Sequence, residues 1–326
     1  MSDTTLHVYR GEWGLASVDL ECLQVLTLMK FLDVPAEINT RGSTFFSPTG
    51  FLPYISDGGQ KINSYKKISK HFLGKGLDVN KDLKEEDRSL SSAYIQHAKS
   101  KLHSYLVYTM WGTTESAEAT RFLYAKRSPF PLSFFKPGQY LKLAEKYLQV
   151  QCGFSIKSGI PPEEHLTRAL IVDAKKFVNE ISAQLSDRKW FFGASPSEFD
   201  VILYSYLALL LHYPQNFNPL AGHIRECRNL VDFVTRITKT YFEGLTFDSG
   251  VKISAASGSQ GHKSKAKAPG EEEESNLKLQ IIAGLVALVS MIAFSLSVGI
   301  VEISRESIPH ESMDFDDEDE DEDEGE

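Results

Sequence analysis

Cysteine is scarce in this chain of 326 residues: Cys22, Cys152 and Cys227 stand far apart, and no CxxC pair occurs. That excludes a disulfide framework and a dithiol redox centre, and it fits a reducing compartment. GxGxxG, the P-loop, GxSxG and HExxH are also missing, so the usual signatures of dinucleotide, nucleotide, hydrolase and zinc-protease chemistry are absent. The nine histidines are scattered without a Cys/His cluster. No Lys/Arg stripe interleaved with aromatics appears, which argues against a nucleic-acid partner. The opening MSDTTLHVYR has neither an apolar core nor an Arg-rich amphipathic stretch. The expectation is therefore a chain without a secretory leader or a cleaved mitochondrial presequence.

One stretch imitates a metal site and fails on inspection. DVNKDLKEEDRS sets Asp78, Asn80 and Asp82 at positions one, three and five of a calcium loop. Position six is Leu83 where a glycine must turn, and position twelve is Ser89 where a bidentate glutamate must close the site. A solvated interdomain loop is the better reading, and no metal or other cofactor is expected.

What is present is unevenly distributed. Net charge is −9, yet from Glu302 onward fourteen acidic residues face a single arginine, Arg305, so the tail holds −13 and the rest of the chain +4. Just before that tail, IIAGLVALVSMIAFSLSVGIV runs from Ile281 to Val301 without a charge. Twenty-one residues make a helix of roughly 31 Å, matching a bilayer core of about 30 Å. Its twelve Leu, Ile, Val and Phe residues favour insertion by roughly 4–7 kcal/mol before the Ser and Gly penalties. A buried core helix would keep a polar stripe and sit among partner elements, whereas this run lies between a Gly/Ser/Lys-rich stretch and acid. The expectation is a transmembrane tail anchor over 281–301, with Ile281, Leu288, Ile292 and Val301 in the bilayer. Lys263, Lys265, Lys267 and Lys278 precede it, so the positive-inside tendency keeps the N-terminal body in the cytosol. The acidic tail, 302–326, reads as disordered and solvated.

The body divides by pattern. Residues 1–75 read as strand (Leu6–Tyr9), amphipathic helix (Val18, Cys22, Val25 and Met29 inward), strand (Ala36–Asn39), strand at FLPYI, a turn at Asp57-Gly58-Gly59, strand (Lys61–Asn63) and a helix opening at Ser64. This is a thioredoxin-like layout, with Pro53 where such folds carry a cis-proline. Residues 76–245 turn helical. Leu90, Tyr94, Ala98, Leu102 and Leu106 lie four apart, and Leu166, Leu170, Ala174, Phe177, Ile181 and Leu185 mark a second long helix. SEFDVILYSYLALLL is apolar nearly all round, which predicts the central buried helix. Ser197 and Asp200 form its capping box, Ser197 capping the Asp200 N–H and the carboxylate reaching back to the Ser197 N–H. Residues 246–280 read as a flexible linker.

A thioredoxin-like half followed by a helical half with a Ser-x-x-Asp box resembles the glutathione transferase architecture. GEWGLASVDLECL, PFPLSFFKPG and FFGASPSEFDVILYSYLALLL, with the C-terminal apolar run, resemble more closely the metaxin family, above all its membrane-anchored members. The expected fold is therefore α/β plus all-α, glutathione transferase-like, with a C-terminal transmembrane helix. The resemblance implies a non-enzymatic subunit of the sorting and assembly machinery of the mitochondrial outer membrane. Such a subunit aids protein import and β-barrel insertion beside a second metaxin-type subunit and the β-barrel assembly core. It also implies links to the inner-membrane organising complex and to transport adaptors.

The rival expectation is a membrane-anchored glutathione transferase-like enzyme. Tyr9 and Ser17 stand where such enzymes keep a thiol-activating hydroxyl, Leu52-Pro53 could offer backbone bonds, and Ser64 could hold a carboxylate at a helix start. The plain alternatives are a strand residue, two N-caps and a turn proline. The usual Glu/Gln-Ser pair is Asn63-Ser64 here, which weakens the enzyme. The Pro129–Gly138 loop, with three prolines and three phenylalanines, is not expected to be a regular helix. Its phenylalanines either plug the core or face a partner or membrane, and core packing is preferred.

Overall fold

The computed structural model describes residues 4–41, 43–153, 164–214, 218–243, 251–253 and Ser290. Residues 1–258 form one compact unit and 259–326 a second. In the first, β1 (Thr5–His7), α1 (Leu20–Phe31), β2 (Ala36–Asn39), β3 (Tyr54–Asp57), β4 (Gln60–Asn63) and α2 (Tyr65–Gly74) follow the expected strand and helix order. β1 pairs in parallel with β2 and antiparallel with β3, which pairs antiparallel with β4. A fifth strand, β5 (Val251–Ile253), pairs antiparallel with β2 and sets the sheet order β4-β3-β1-β2-β5. Part of the expected 246–280 linker is thus sheet: V-K-I alternates apolar and polar, and the open edge of β2 offers it a ladder.

α1 departs from the amphipathic expectation. Every residue from Cys22 to Met29 is buried, because the helix is sandwiched between the sheet layer and a second helical layer, where it packs on α8 (Glu198–His212). Its N-cap is Asp19, whose side chain accepts the Cys22 N–H at 2.9 Å, and not Ser17.

The helical layer begins with α3 (Glu85–Ala98), which runs through a π-type turn (99–103) into α4 (Ser104–Trp111). Leu90 is exposed, while Ser91 and Ile95 turn inward. Four-residue spacing drifts about 40° per step on a 3.6-residue helix, so Leu90 leaves the stripe that Ala98, Leu102 and Leu106 hold. Next come α5 (Thr114–Ala125), α6 (Leu132–Cys152), α7 (Glu164–Leu185), α8, α9 (Leu220–Glu226) and α10 (Arg228–Ile237). α8 is buried from Phe199 through Leu211, the central helix that its all-round apolar sequence predicts. Phe191, Phe199 and Phe233 meet edge-on beside its start, with centroids 4.8 and 5.7 Å apart.

The Pro129–Gly138 expectation needs correction on both counts. The helix α6 starts at Leu132 and runs through Pro137, and Phe130, Phe134 and Phe135 are 69%, 72% and 64% exposed. Pro131 stands at the N-cap, where a missing N–H costs nothing. Lys136 and Pro137 take the inward positions instead. The Lys136 Nζ donates to the Gly50 carbonyl at 2.6 Å and to Gln139 Oε1 at 3.0 Å.

The expected anchor 281–301, apart from exposed Ser290, and the acidic tail 302–326 lie outside the described residues. Among the described residues, no helix is long and apolar enough to cross a membrane.

Candidate functional site

The four residues singled out for thiol chemistry lie around the end of β1. The register that sets His7 opposite Tyr54 brings Pro53 to that end, and the Leu52-Pro53 peptide is cis. Tyr9 follows β1, Ser17 lies in the segment leading to α1, and Ser64 sits at the N-cap of α2 with φ of 65°. These four residues therefore come together at one end of the sheet. The hydroxyls of Tyr9 and Ser17 are already engaged.

Tyr9 is buried to 1% exposure and its hydroxyl lies 3.1 Å from that of Tyr140 on α6. Its ring meets Tyr124 edge-on at 5.1 Å, and Tyr124 stacks on Tyr140 at 4.7 Å. The Tyr124 hydroxyl donates to Asp19 Oδ2 at 3.0 Å. Burial pushes the Tyr9 hydroxyl well above the usual phenol range, and the nearby Asp19 and Cys22 add to the rise against the Tyr140 hydrogen bond. An activating tyrosine needs a free, acidic hydroxyl aimed at the sulfur. This one is sealed under α6. Ser17 is fully buried, and its Oγ accepts the Asp19 N–H at 3.2 Å, so it supports the α1 cap from behind.

The far side of this sheet end is closed by an internal carboxylate. Glu21, in the first turn of α1, accepts the Tyr65 N–H at 2.7 Å. That N–H belongs to the open end of α2, where an incoming carboxylate would bind. Burial raises the Glu21 pKa while the Tyr65 N–H lowers it. The Ser64 side chain makes no cap bond, and Asn63 Nδ2 donates to Thr49 Oγ1 at 2.9 Å.

Tyr140 also packs beside the proline loop. Its ring lies 5.3 Å from that of Phe51, next to Leu52-Pro53, and the Lys136 Nζ sits 4.8 Å over the Phe51 ring. Below this lid, a cleft of about 380 Å³ between α4 and α6 reaches Asp19, with His103, Met110 and Trp111 among its walls. Burial holds Asp19 above its ordinary range and His103 down at about 4, so both tend to neutrality. Sequence reasoning missed Asp19, Glu21, Tyr124 and Tyr140. The Tyr9–Tyr140 contact spans 131 positions and the Glu21–Tyr65 contact 44, and no local pattern records either.

At the other pole, Ser197 and Asp200 open α8. The Ser197 N–H and Oγ–H both donate to Asp200 Oδ2, at 2.8 and 2.6 Å, and the Phe191 N–H donates to Oδ1 at 3.1 Å. Both residues are fully buried, and burial lifts the Asp200 carboxyl to about 6 against these bonds. In the calcium-like stretch, Asp78 accepts from the Asn80 N–H and from Arg88, and Asn80 Oδ1 accepts the Glu198 N–H at 2.9 Å. Those side chains tie the loop to α3 and α8.

Residues 22–141 match the model of a family described as outer mitochondrial membrane transport complex protein, and residues 174–237 match the glutathione S-transferase C-terminal domain. The chain is 36% identical to the metaxin-1 homolog of Drosophila melanogaster over 96% of this chain and 95% of that one. It is 32% identical to metaxin-1 of Mus musculus over 93% and 92%, and 29% identical to metaxin-3 of Xenopus laevis over 73% and 76%. A solved glutathione transferase from Phanerochaete chrysosporium aligns at 12% identity with a TM-score of 0.46, covering 73% of this chain and 96% of that chain, a likeness too weak to bear weight.

Proposed function

Because the chain belongs to the metaxin family, we propose that it serves the outer mitochondrial membrane transport machinery as a non-enzymatic, membrane-anchored subunit. In this reading it works with a second metaxin-type subunit beside the β-barrel assembly core, aiding protein import and β-barrel insertion. Contacts with the inner-membrane organising complex or transport adaptors extend the same scaffold role. The apolar run 281–301 holds it in the membrane once, with the body on the side of Lys263, Lys265, Lys267 and Lys278.

The observation that carries the non-enzymatic reading is the double closure of this sheet end. Tyr140 takes the Tyr9 hydroxyl and Glu21 takes the α2 N–H. A bound thiol peptide would have to displace both, losing a buried hydrogen bond and setting its own carboxylate against that of Glu21.

Mitochondria depleted of the chain should assemble imported β-barrel precursors poorly, and wild-type and Tyr9→Phe chains should restore assembly equally. Normal assembly in depleted mitochondria sinks the role. Rescue that depends on the Tyr9 hydroxyl would instead favour the glutathione transferase-like enzyme.

A further inference from the structure

Between Glu118 and Glu145 the chain carries no acidic residue, yet it holds Arg121, Lys126, Arg127, Lys136 and Lys142. This segment of +5, in a chain of net charge −9, forms the end of α5, the turn and the first half of α6. It is also where large apolar side chains are turned outward: Phe122 is 71% exposed, alongside Phe130, Phe134 and Phe135. Phe130 and Phe134 meet edge-on at 6.0 Å, so their rings form a continuous ridge. The Lys136 bond to Gly50 ties this corner to the neighbouring Thr44–Phe46 turn, where Phe45 and Phe46 are 76% and 59% exposed. No acidic residue occurs between Glu37 and Asp57 either.

Single exposed apolar residues need no explanation, but six exposed phenylalanines drawn from two acid-free stretches of sequence, with Phe45–Phe46 and Phe130–Phe134 in ring contact, do. We propose that this corner of the body docks on an anionic bilayer surface, its phenylalanines entering the headgroup region and Arg121, Lys126 and Lys142 facing lipid phosphates. Exposed phenylalanine beside lysine and arginine is the pairing that surface-lying membrane segments present. Lys126 and Lys142 argue against the buried centre of a protein–protein interface, where lysine is depleted. Two copies meeting through this corner would oppose like charges, which disfavours self-association. The acidic tail offers the opposite charge but only one aromatic, Phe315, and so cannot match the ridge. The docking concerns the body alone and is separate from the span over 281–301.

The test uses the full chain in proteoliposomes, with Phe134→Trp as the reporter and the chain with its native tryptophans as background. In vesicles of phosphatidylcholine with one-fifth phosphatidylserine, the new indole should be quenched by lipids brominated on their acyl chains and shielded from aqueous acrylamide. Arg121→Glu with Lys126→Glu, both at exposed positions, should reduce the docked population on the order of tenfold, and 0.5 M salt should act in the same direction. Unchanged thermal unfolding of each variant shows that the fold is intact. Three results overturn the proposal: an indole open to acrylamide in anionic vesicles, equal quenching in pure phosphatidylcholine, or shielding without lipid quenching. The last is what a protein partner, a second copy or the acidic tail would produce.

Discussion

Asp200 concentrates more buried polar chemistry than any other single residue described at the start of α8. Its carboxylate is the acceptor for two buried N–H groups, those of Ser197 and Phe191. Asp200→Ala should lower stability by about 1–3 kcal/mol, because both donors then lie buried without a partner. For a body of this size that corresponds to a fall of roughly 2–4 °C in Tm per kcal/mol. The pH dependence has a defined sign. Asp200 titrates near 6 in the folded state, above its ordinary 3.8. The folded state then binds more protons than the unfolded one between pH 4 and 6, and stability falls as pH rises through that window. Unfolding measured from pH 4 to 7 should show a shallower slope of this sign in Asp200→Asn than in the wild type, the buried Asp19 and Glu21 keeping the remainder; equal slopes would mean that Asp200 is already ionised at pH 4. Ser-x-x-Asp was legible because both partners lie within one helical turn. The engagement of Tyr9 and the Tyr65 N–H was not, since it depends on chain crossings that only the packed fold creates. From those crossings follows a second expectation. The full chain should show no glutathione binding by calorimetry at physiological concentration, and sub-millimolar binding abolished by Tyr9→Phe or Ser64→Ala would return the molecule to the enzymes.

At the scale of elements, periodicity succeeded where one environment surrounds a whole element and failed where the environment changes along it. Phe199–Leu211 reads as buried on every side because it is. α1 shows a polar residue or two at the right spacing, but Gln24 and Thr27 are buried as well, and the Thr27 hydroxyl returns to the Leu23 carbonyl at 2.7 Å. In α3–α4 the four-residue spacing holds through the π-type turn, at Ala98, Leu102 and Leu106, and fails upstream of it at Leu90, where the ordinary 3.6-residue helix drifts off the stripe. PFPLSFFKPG was misread because three prolines were counted alike, although Pro129 and Pro131 precede the first helical residue and only Pro137 lies inside α6. β5 escaped notice because three residues in a Gly/Ser-rich stretch carry too short a pattern to register. Its consequence is measurable. A chain ended at residue 245 leaves the outer edge of β2 unpaired, whereas one ended at 258 keeps β5. The shorter chain should melt several degrees lower, and identical melting would show that β5 adds nothing to the sheet.

At the scale of the molecule, the proposed anchor explains why an apolar run and an acidic segment follow a body of nearly balanced charge. Ile281–Val301 is long enough for one bilayer crossing and carries no charge that would oppose it. On that proposal the lysines before it would hold that flank on the cytosolic side, and an acidic segment with so few apolar residues would have little to unravel in crossing. Placing Leu288→Arg and Ile292→Arg near the centre of the run adds about 5–7 kcal/mol to the cost of insertion, comparable to all that its apolar residues contribute. The double variant should therefore leave the membrane fraction and appear in the cytosol with its body still folded. Protease added to intact mitochondria should remove the body of the wild-type chain and spare an epitope fused after Glu326. If that epitope is digested while the outer membrane is unbroken, the acidic segment lies in the cytosol. The run 281–301 would then have to enter the bilayer without crossing it, and the lysines before it would have to serve binding rather than orientation.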